Sequence, residues 1–444
     1  MMELERLLQI YKDQGCQKIF VKPLSPNDNS KNQIYLGGSF EILNVFPISN
    51  VRGEDAGDWV RSRFKADFPL SWISNEGTLC SAPRTQLVLY PKYPEVRLSG
   101  FLMNCAAAPS ALMTQRTADR LLFLGVSKKG VVLGYVTSPD SQLSQEFNFL
   151  KKLEKFGVFS VISFDRQIDN RESLLIEMKR IHGLGWIPSK RLGSEGQVLP
   201  CNAPNCGGYT LEAELGITPN GYSEPDYLGW EIKQFNTLYW NNISTSVITL
   251  MTPEPTDGLY HDKGVEFFIR EYGYEDKMGR IDRLNFGGIH RVGHRHPTTG
   301  LKMELVGFDS ESSKITNPNG EIALVDLLDN ITASWSFSSL LSHWNRKHHQ
   351  ACYVPSQLIK NPDLQYRFAE RLLLGEGTDF IFYLKQMHEG NVYYDPGIKM
   401  EQASSARPVI KRRSQFRIKS GNLPTLYKNS EIVVLTENID NIKT

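Results

Sequence analysis

The sequence predicts two domains, a mostly-β, barrel-like first domain and an α/β second domain built on a mixed sheet with helices on its faces. Three observations carry this. At 444 residues the chain is longer than one ordinary hydrophobic core sustains. Residues 18–163 hold a succession of short strand-like runs separated by turn residues. Farther on, a helical period and a strand alternation follow one another in Gly207-Gly208-Tyr209-Thr210-Leu211-Glu212 through Glu224-Pro225-Asp226-Tyr227-Leu228-Gly229-Trp230-Glu231-Ile232-Lys233.

In chain order, Leu4, Leu7, Leu8 and Tyr11 share one face of a helix over residues 1–12. Strands are predicted at 18–22, 33–36, 40–43, 85–90, 95–98, 120–126 and 130–136, with a helix between Val51 and Pro69 carrying Trp59, Val60 and Phe64. Ser138-Pro139-Asp140-Ser141 is a break, followed by a helix over 142–156 and a closing strand over 158–163. The polar segment 165–171 divides a first domain, 1–165, from a second, 170–444. The second opens with an amphipathic helix over 172–181, has a helix at 210–215 stopped by Gly216, and holds a strand at 247–252 beside the Trp230–Lys233 strand.

Composition removes several classes of function. No apolar run approaches the roughly 18 residues of a membrane span. The start, Met1-Met2-Glu3-Leu4-Glu5-Arg6, has no apolar signal core, so a cytoplasmic location is expected. A net charge of +1 excludes a bulk-electrostatic coat for nucleic acid, so any such binding rests on local patches. The six cysteines are scattered; Cys201-x4-Cys206 lacks the second pair of a zinc site, and all six are expected as reduced thiols. Neither a P-loop nor a Gly-x-Ser-x-Gly elbow occurs.

The chemistry concentrates in the Gly207–Lys233 block. Alternation along a strand points Glu231 and Lys233 one way and Trp230 and Ile232 the other. Asp226 at the start of that strand and Glu212 on the preceding helix can reach the same edge. Carboxylate oxygens suit a hard cation, and a nearby ammonium can position or polarise an attacking water. Asp226-x4-Glu231-x-Lys233 alone is equally the pattern of a solvated strand edge with ion pairs.

Over a longer span, Gly-Gly-Tyr-Thr-Leu-Glu, Leu-Gly-Ile and Glu-Pro-Asp-Tyr-Leu-Gly-Trp-Glu-Ile-Lys-Gln-Phe resemble the active-site block of the MvaI/BcnI restriction endonucleases. That family is a MutH-related branch of the PD-(D/E)xK nucleases, and the resemblance covers residues 170–444. It implies a PD-(D/E)xK fold for the second domain. It also implies a Mg2+-dependent type II restriction enzyme in which Asp226 and Glu231 hold metal, Lys233 orients the water and Glu212 completes the site. The reaction implied is attack of an activated water on a backbone phosphate, leaving 5′-phosphate and 3′-hydroxyl ends. A monomeric, prokaryotic enzyme with a companion DNA methyltransferase is expected. The alternatives are a MutH-like nickase and a DNA-binding regulator with a degenerate nuclease domain.

A second resemblance lies in Phe20-Val21-Lys22-Pro23-Leu24-Ser25-Pro26-Asn27-Asp28 and Asn32-Gln33-Ile34-Tyr35-Leu36-Gly37. These are similar to the opening of the EcoRII N-terminal effector domain, a DNA-binding pseudobarrel. The resemblance implies two arms in the major groove, one at Ser25–Gln33 with Asn27 and Gln33, the other around Lys92, Glu95 and Arg97. The Gly-His stretch of that family's first arm is absent, and turn chemistry alone accounts equally for Asn27-Asp28-Asn29-Ser30. Together the two resemblances imply a CC/GG-flanked site, CCWGG, with one double-stranded DNA copy for each domain.

Two polar clusters follow the active-site block. His290-Arg291-Val292-Gly293-His294-Arg295-His296 suits DNA contact through His290 and His294, a surface loop, or a metal. His343-x-Asn345-x2-His348 lacks the spacing of an HNH nuclease. Arg407–Lys419 holds Lys411, Arg412, Arg413 and Arg417 with no acid among them, and by family resemblance it is a major-groove reader, with Arg413 and Arg417 suited to guanine. A solvated charge run is the other reading.

Overall fold

The structure, a computed structural model, describes residues 2–57, 61–93, 95–164, 170–218 and 225–436. The chain forms two compact units, Met1–Gln167 with Thr316–Asn319, and Ile168–Ile315 with Gly320–Thr444. Its secondary structure is mostly β, arranged in several sheets with some helices. Among the described residues no helix is long and apolar enough to cross a membrane.

The first unit opens with the helix Leu4–Asp13, whose Leu4, Leu7 and Tyr11 are buried at helical spacing. Among the described residues twelve strands follow: β1 (Lys18–Leu24), β2 (Ile34–Gly37), β3 (Ser49–Glu54), β4 (Arg63–Asp67), β5 (Leu70–Ile73), β6 (Leu79–Ala82), β7 (Gln86–Tyr90), β8 (Glu95–Ser99), β9 (Arg120–Val126), β10 (Val132–Thr137), β11 (Glu154–Phe156) and β12 (Phe159–Ser163). They form a seven-stranded sheet, β11-β12-β1-β9-β10-β5-β6, and a five-stranded sheet, β2-β8-β7-β4-β3. Ile19, Val21, Phe123 and Leu133 pack with Leu7 and Tyr11 into one core. The Tyr11 hydroxyl donates to Phe123 O at 3.1 Å, so even its polar end is satisfied inside.

Three expectations are corrected here. Phe40–Asn44 is a 3-10 helix, not a strand; one tight turn buries Phe40, Ile42 and Leu43 as well as a strand would. The helix expected between Val51 and Pro69 is replaced by strands β3 and β4, paired antiparallel, with Phe64 in the core; Trp59 and Val60 lie outside the described residues. The helix expected over 142–156 ends at Phe149, and the chain returns as β11. The segment 165–169, where the sequence divides its domains, lies outside the described residues.

In the second unit the strand Gln350–Ile359 is central. It pairs parallel with Glu231–Asn236, Glu231 standing opposite Ala351 and Lys233 opposite Tyr353. On antiparallel ladders it meets Gln365–Phe368 and Arg371–Thr378, and the latter carries Tyr427–Val434 on its far edge. One face of this mixed sheet is covered by Leu174, Leu175, Met178 and Ile181 of the helix Asn170–Gly183, which pack with Trp230, Ile232, Val354 and Leu374. Burying Trp230 and Ile232 on that face turns Glu231 and Lys233 to the other.

The helix Cys206–Glu214 joins the same core through Leu211. It approaches the strand closely at Gly207, where a Cβ would fall 2.7 Å from Cδ of Gln234. Cys201 and Cys206 form a disulfide, which corrects the expectation of six reduced thiols. The turn before the helix brings their Cα atoms to 5.7 Å, within bridging range.

Candidate functional site

The site is set by a tight turn. Tyr227 and Trp230 exchange backbone hydrogen bonds at 3.0 and 2.8 Å, and Leu228 and Gly229 between them both have positive φ, 48° and 87°. Successive left-handed residues are the signature of a type I′ turn. Glycine adopts it freely, while leucine is held there at a conformational cost. The turn folds Asp226 back beside the strand it precedes, where its Oδ2 accepts from Ile232 N at 3.0 Å.

Glu231 begins the strand and is 1% exposed. Its Oε1 takes the Lys233 ammonium at 2.6 Å and that of Lys347 at 3.5 Å. Its Oε2 is buried and finds no hydrogen-bond partner among the described residues. Burial, then repulsion from Asp226 and Glu231, raises Glu212 to about 7. Burial, then Glu231, raises Asp226 to about 6. Burial opposes the charge on Lys233, but the attraction of Glu231, Asp226 and Glu212 outweighs it and raises that lysine. The four residues singled out from the sequence thus share one electrostatic environment.

Three carboxylates face two ammonium groups, and one carboxylate oxygen lacks a partner. That donor set fits a hard divalent cation. Among the described residues no group of three or more His, Cys, Asp or Glu side chains is arranged as a metal cage.

Sequence reasoning missed Lys347. It lies on the helix Phe337–His348, one turn after His343, and both face the strand. His343 is lowered by burial, then by Lys347 and Lys233, so it stays neutral beside them. The available signal was a pair of polar residues at helical spacing among Leu340, Leu341 and Trp344, all buried. His348 is a core residue, stacked on Trp344 with centroids 4.3 Å apart.

In the first unit, Lys22, Ser25, Asn27, Asp28, Asn32, Gln33, Tyr35 and Arg97 line an open cavity of about 580 Å³. The loop behind it is fixed by buried charges. Asp28 accepts from Lys22 Nζ at 2.7 Å, Ser25 N at 3.0 Å and Tyr35 N at 2.9 Å. Arg120, fully buried, donates to the carbonyls of Leu112, Thr117, Ser25 and Asp28 at 2.6 to 3.2 Å. Arg97 is paired with Glu95 at 2.9 Å and lies over the Tyr90 ring, while the Tyr90 hydroxyl donates to Gln33. Asn27, Gln33, Glu95 and Arg97 therefore form one neighbourhood; Lys92 stands over Tyr93 at 5.2 Å, and Pro94 lies outside the described residues.

The remaining sequence candidates separate. His290 is corrected: it is fully buried, stacked between Phe286 and His296, and bonded to Gly288 O and Thr299 Oγ1, so it presents no edge to a groove. Burial, then His296, lowers it to about 3. His294 is exposed. Lys411, Arg412 and Arg413 are exposed in and after the strand Val409–Lys411. Arg417 lies in the strand Phe416–Lys419 and is tied to Asp395 at 2.6 Å and Thr249 Oγ1 at 3.3 Å.

Comparison with known proteins places this geometry in context. The search of curated proteins gives no match. Solved structures similar to the chain include the restriction endonuclease MvaI in complex with cognate DNA, 19% identical over 61% of this chain and 99% of that one, TM-score 0.44. MvaI without DNA is 17% identical over 61% and 100%, TM-score 0.34. The B3 domain of the UbaLAI restriction endonuclease with cognate DNA is 17% identical over 35% and 96%, TM-score 0.23. The sequence model of the MvaI/BcnI restriction endonuclease family matches residues 175–427, more than half of the chain and all of the Glu212–Lys233 site: the chain belongs to that family.

Proposed function

We propose that the chain is a Mg2+-dependent type II restriction endonuclease that hydrolyses both strands of DNA at a short CC/GG-flanked site, CCWGG. Residues 170–444 form its PD-(D/E)xK catalytic domain, and residues 1–165 form an effector pseudobarrel that binds a second DNA copy. The observation that carries this is Glu231, buried against Lys233 with one oxygen unsatisfied, beside Asp226 and Glu212 in a region the family match covers.

Asp226 and Glu231 are the residues that would hold the cation, with Glu212 beside them. A divalent cation supplies Lewis acidity, lowering the pKa of water and stabilising charge on the phosphoryl oxygens. Lys233 orients the attacking water toward the phosphorus through its ammonium protons. Glu212, raised by burial and by repulsion from Asp226 and Glu231 when no cation is bound, would tune the metal site. In-line attack leaves a 5′-phosphate and a 3′-hydroxyl. The enzyme acts as a monomer, alongside a methyltransferase that protects the host's own sites.

The test is incubation of purified protein with unmethylated plasmid, with Mg2+ or with EDTA, followed by end mapping. Discrete Mg2+-dependent fragments ending within CCWGG support the reading. Intact plasmid despite specific binding overturns it in favour of a DNA-binding regulator, and nicks in one strand alone favour a MutH-like nickase.

A further inference from the structure

Two thiols in the first unit stand apart from the proposed nuclease chemistry. Cys80 lies in β6, the edge strand of the seven-stranded sheet, and Cys105 lies in the segment after β8. Their Sγ atoms are 3.3 Å apart without being bonded. Both are partly exposed, whereas Cys16 and Cys352 are buried. Cys80 Sγ is also approached by the Ala107 N–H at 3.4 Å, and the Cys105 thiol contacts the Cys80 carbonyl at 3.7 Å.

This arrangement distinguishes the two sulfurs. Cys80 Sγ is the acceptor of both an N–H and an S–H, which is what a thiolate needs. Cys80 is lowered by the Ala107 N–H and then by Cys105, while burial, reinforced by Cys80, pushes Cys105 up to about 11. One thiol is thus prepared to attack and its neighbour is kept protonated until a disulfide stands beside it. A disulfide needs Sγ atoms about 2.0 Å apart, so closure asks for an approach of roughly 1 Å. An edge strand, hydrogen-bonded on one side only, accommodates that.

We infer that Cys80 and Cys105 form a redox-active dithiol site that closes to a disulfide by exchange with a small-molecule disulfide, Cys80 attacking and Cys105 resolving. The Cys80 thiolate displaces one glutathione thiolate from oxidised glutathione and forms a mixed disulfide. Cys105 then attacks Cys80 Sγ and expels the second glutathione, which leaves with the proton Cys105 gives up. The protein loses two electrons and two thiol protons, and one oxidised glutathione becomes two reduced ones. The closed ring spans a sequence separation of 25 and encloses the hairpin β7–β8, which carries Glu95 and Arg97.

The experiment uses the full chain, fully reduced and freed of reductant, then exposed to oxidised glutathione, quenched by alkylation and mapped by peptide mass spectrometry. The wild type is expected to give a Cys80–Cys105 cross-linked peptide with little mixed disulfide. Cys105→Ser is expected to accumulate glutathione on Cys80, and Cys80→Ser to slow modification of Cys105 by about tenfold or more. The inference is overturned if the wild type stops at the mixed disulfide, or if Cys80 in Cys105→Ser reacts no faster than buried Cys352. The wild-type cross-link reads the outcome even where a variant folds poorly.

Discussion

Lys347 reaches Glu231 from the helix Phe337–His348, its Nζ 3.5 Å from the same Oε1 that Lys233 holds at 2.6 Å. Two ammonium groups on one carboxylate oxygen exceed what that oxygen needs, so Lys347 has charge available for a phosphate. Lys347→Ala is expected to lower single-turnover cleavage by about 10²-fold while binding in EDTA is little changed. Lys347→Arg is expected to recover part of the rate. Equal losses in both variants, together with weaker binding, would assign Lys347 to structure alone.

Glu231→Ala removes the residue at the centre of the site. Cleavage is expected to fall by on the order of 10³-fold or more, with specific DNA binding retained. Electrophoretic mobility shift and plasmid cleavage on the same preparation check this, and retained cleavage would exclude the active-site assignment.

The pH dependence has an unusual sign for carboxylates. Glu212 and Asp226 titrate at about 7 and about 6 when folded, above their ordinary values of 4.5 and 3.8. The folded chain therefore holds protons that the unfolded chain has released, and stability falls as pH rises through that window. Metal-free protein is expected to lose thermal stability between pH 4 and pH 7. Added Mg2+ is expected to stabilise it more at pH 8 than at pH 5, because binding competes with those protons. Glu212→Gln should flatten the slope; an unchanged slope would show that Glu212 does not titrate there. Differential scanning calorimetry across the pH series measures both.

Arg120 tests the frame of the first unit. Arg120→Met leaves four backbone carbonyls without their buried donor, and since each unsatisfied buried acceptor costs about 1–3 kcal/mol, a loss of several kcal/mol is expected. Thermal unfolding reads the loss, and hydrogen exchange should rise first in Ser25–Gln33.

In the basic segment two kinds of contact are expected. Lys411→Ala should weaken binding to all sequences alike and reduce the salt slope by about one. Arg413→Ala should cost about 1–3 kcal/mol on the preferred site and relax its sequence preference. Binding titrations at several salt concentrations, on specific and scrambled duplexes, separate the two.

The sequence was most legible where one periodicity dominates. The first helix follows helical apolar spacing, β2, β4 and β8 alternate, β9 and β10 are continuous apolar runs, and Trp230 and Ile232 oriented the site strand by themselves. It was least legible where tertiary packing decides. Phe40, Ile42 and Leu43 satisfy a 3-10 turn and a strand equally. His290 sits in a charged run, yet its ring is taken into a stack between Phe286 and His296, which no local pattern announces. Lys347 arrives from a helix distant in sequence, so only the folded parallel pairing of Glu231–Asn236 with Gln350–Ile359 brings it to the site.

The loop that carries Asn27 and Gln33 is anchored from its interior side, by Asp28 and Arg120, while its outward side chains take no part in those anchors. Such a division of labour lets the outward residues drift under selection without the backbone losing its path. Library mutagenesis confined to Asn27, whose side chain is exposed, should therefore yield a high proportion of folded proteins, whereas Gln33, held at a φ of 70°, should accept chiefly glycine and asparagine.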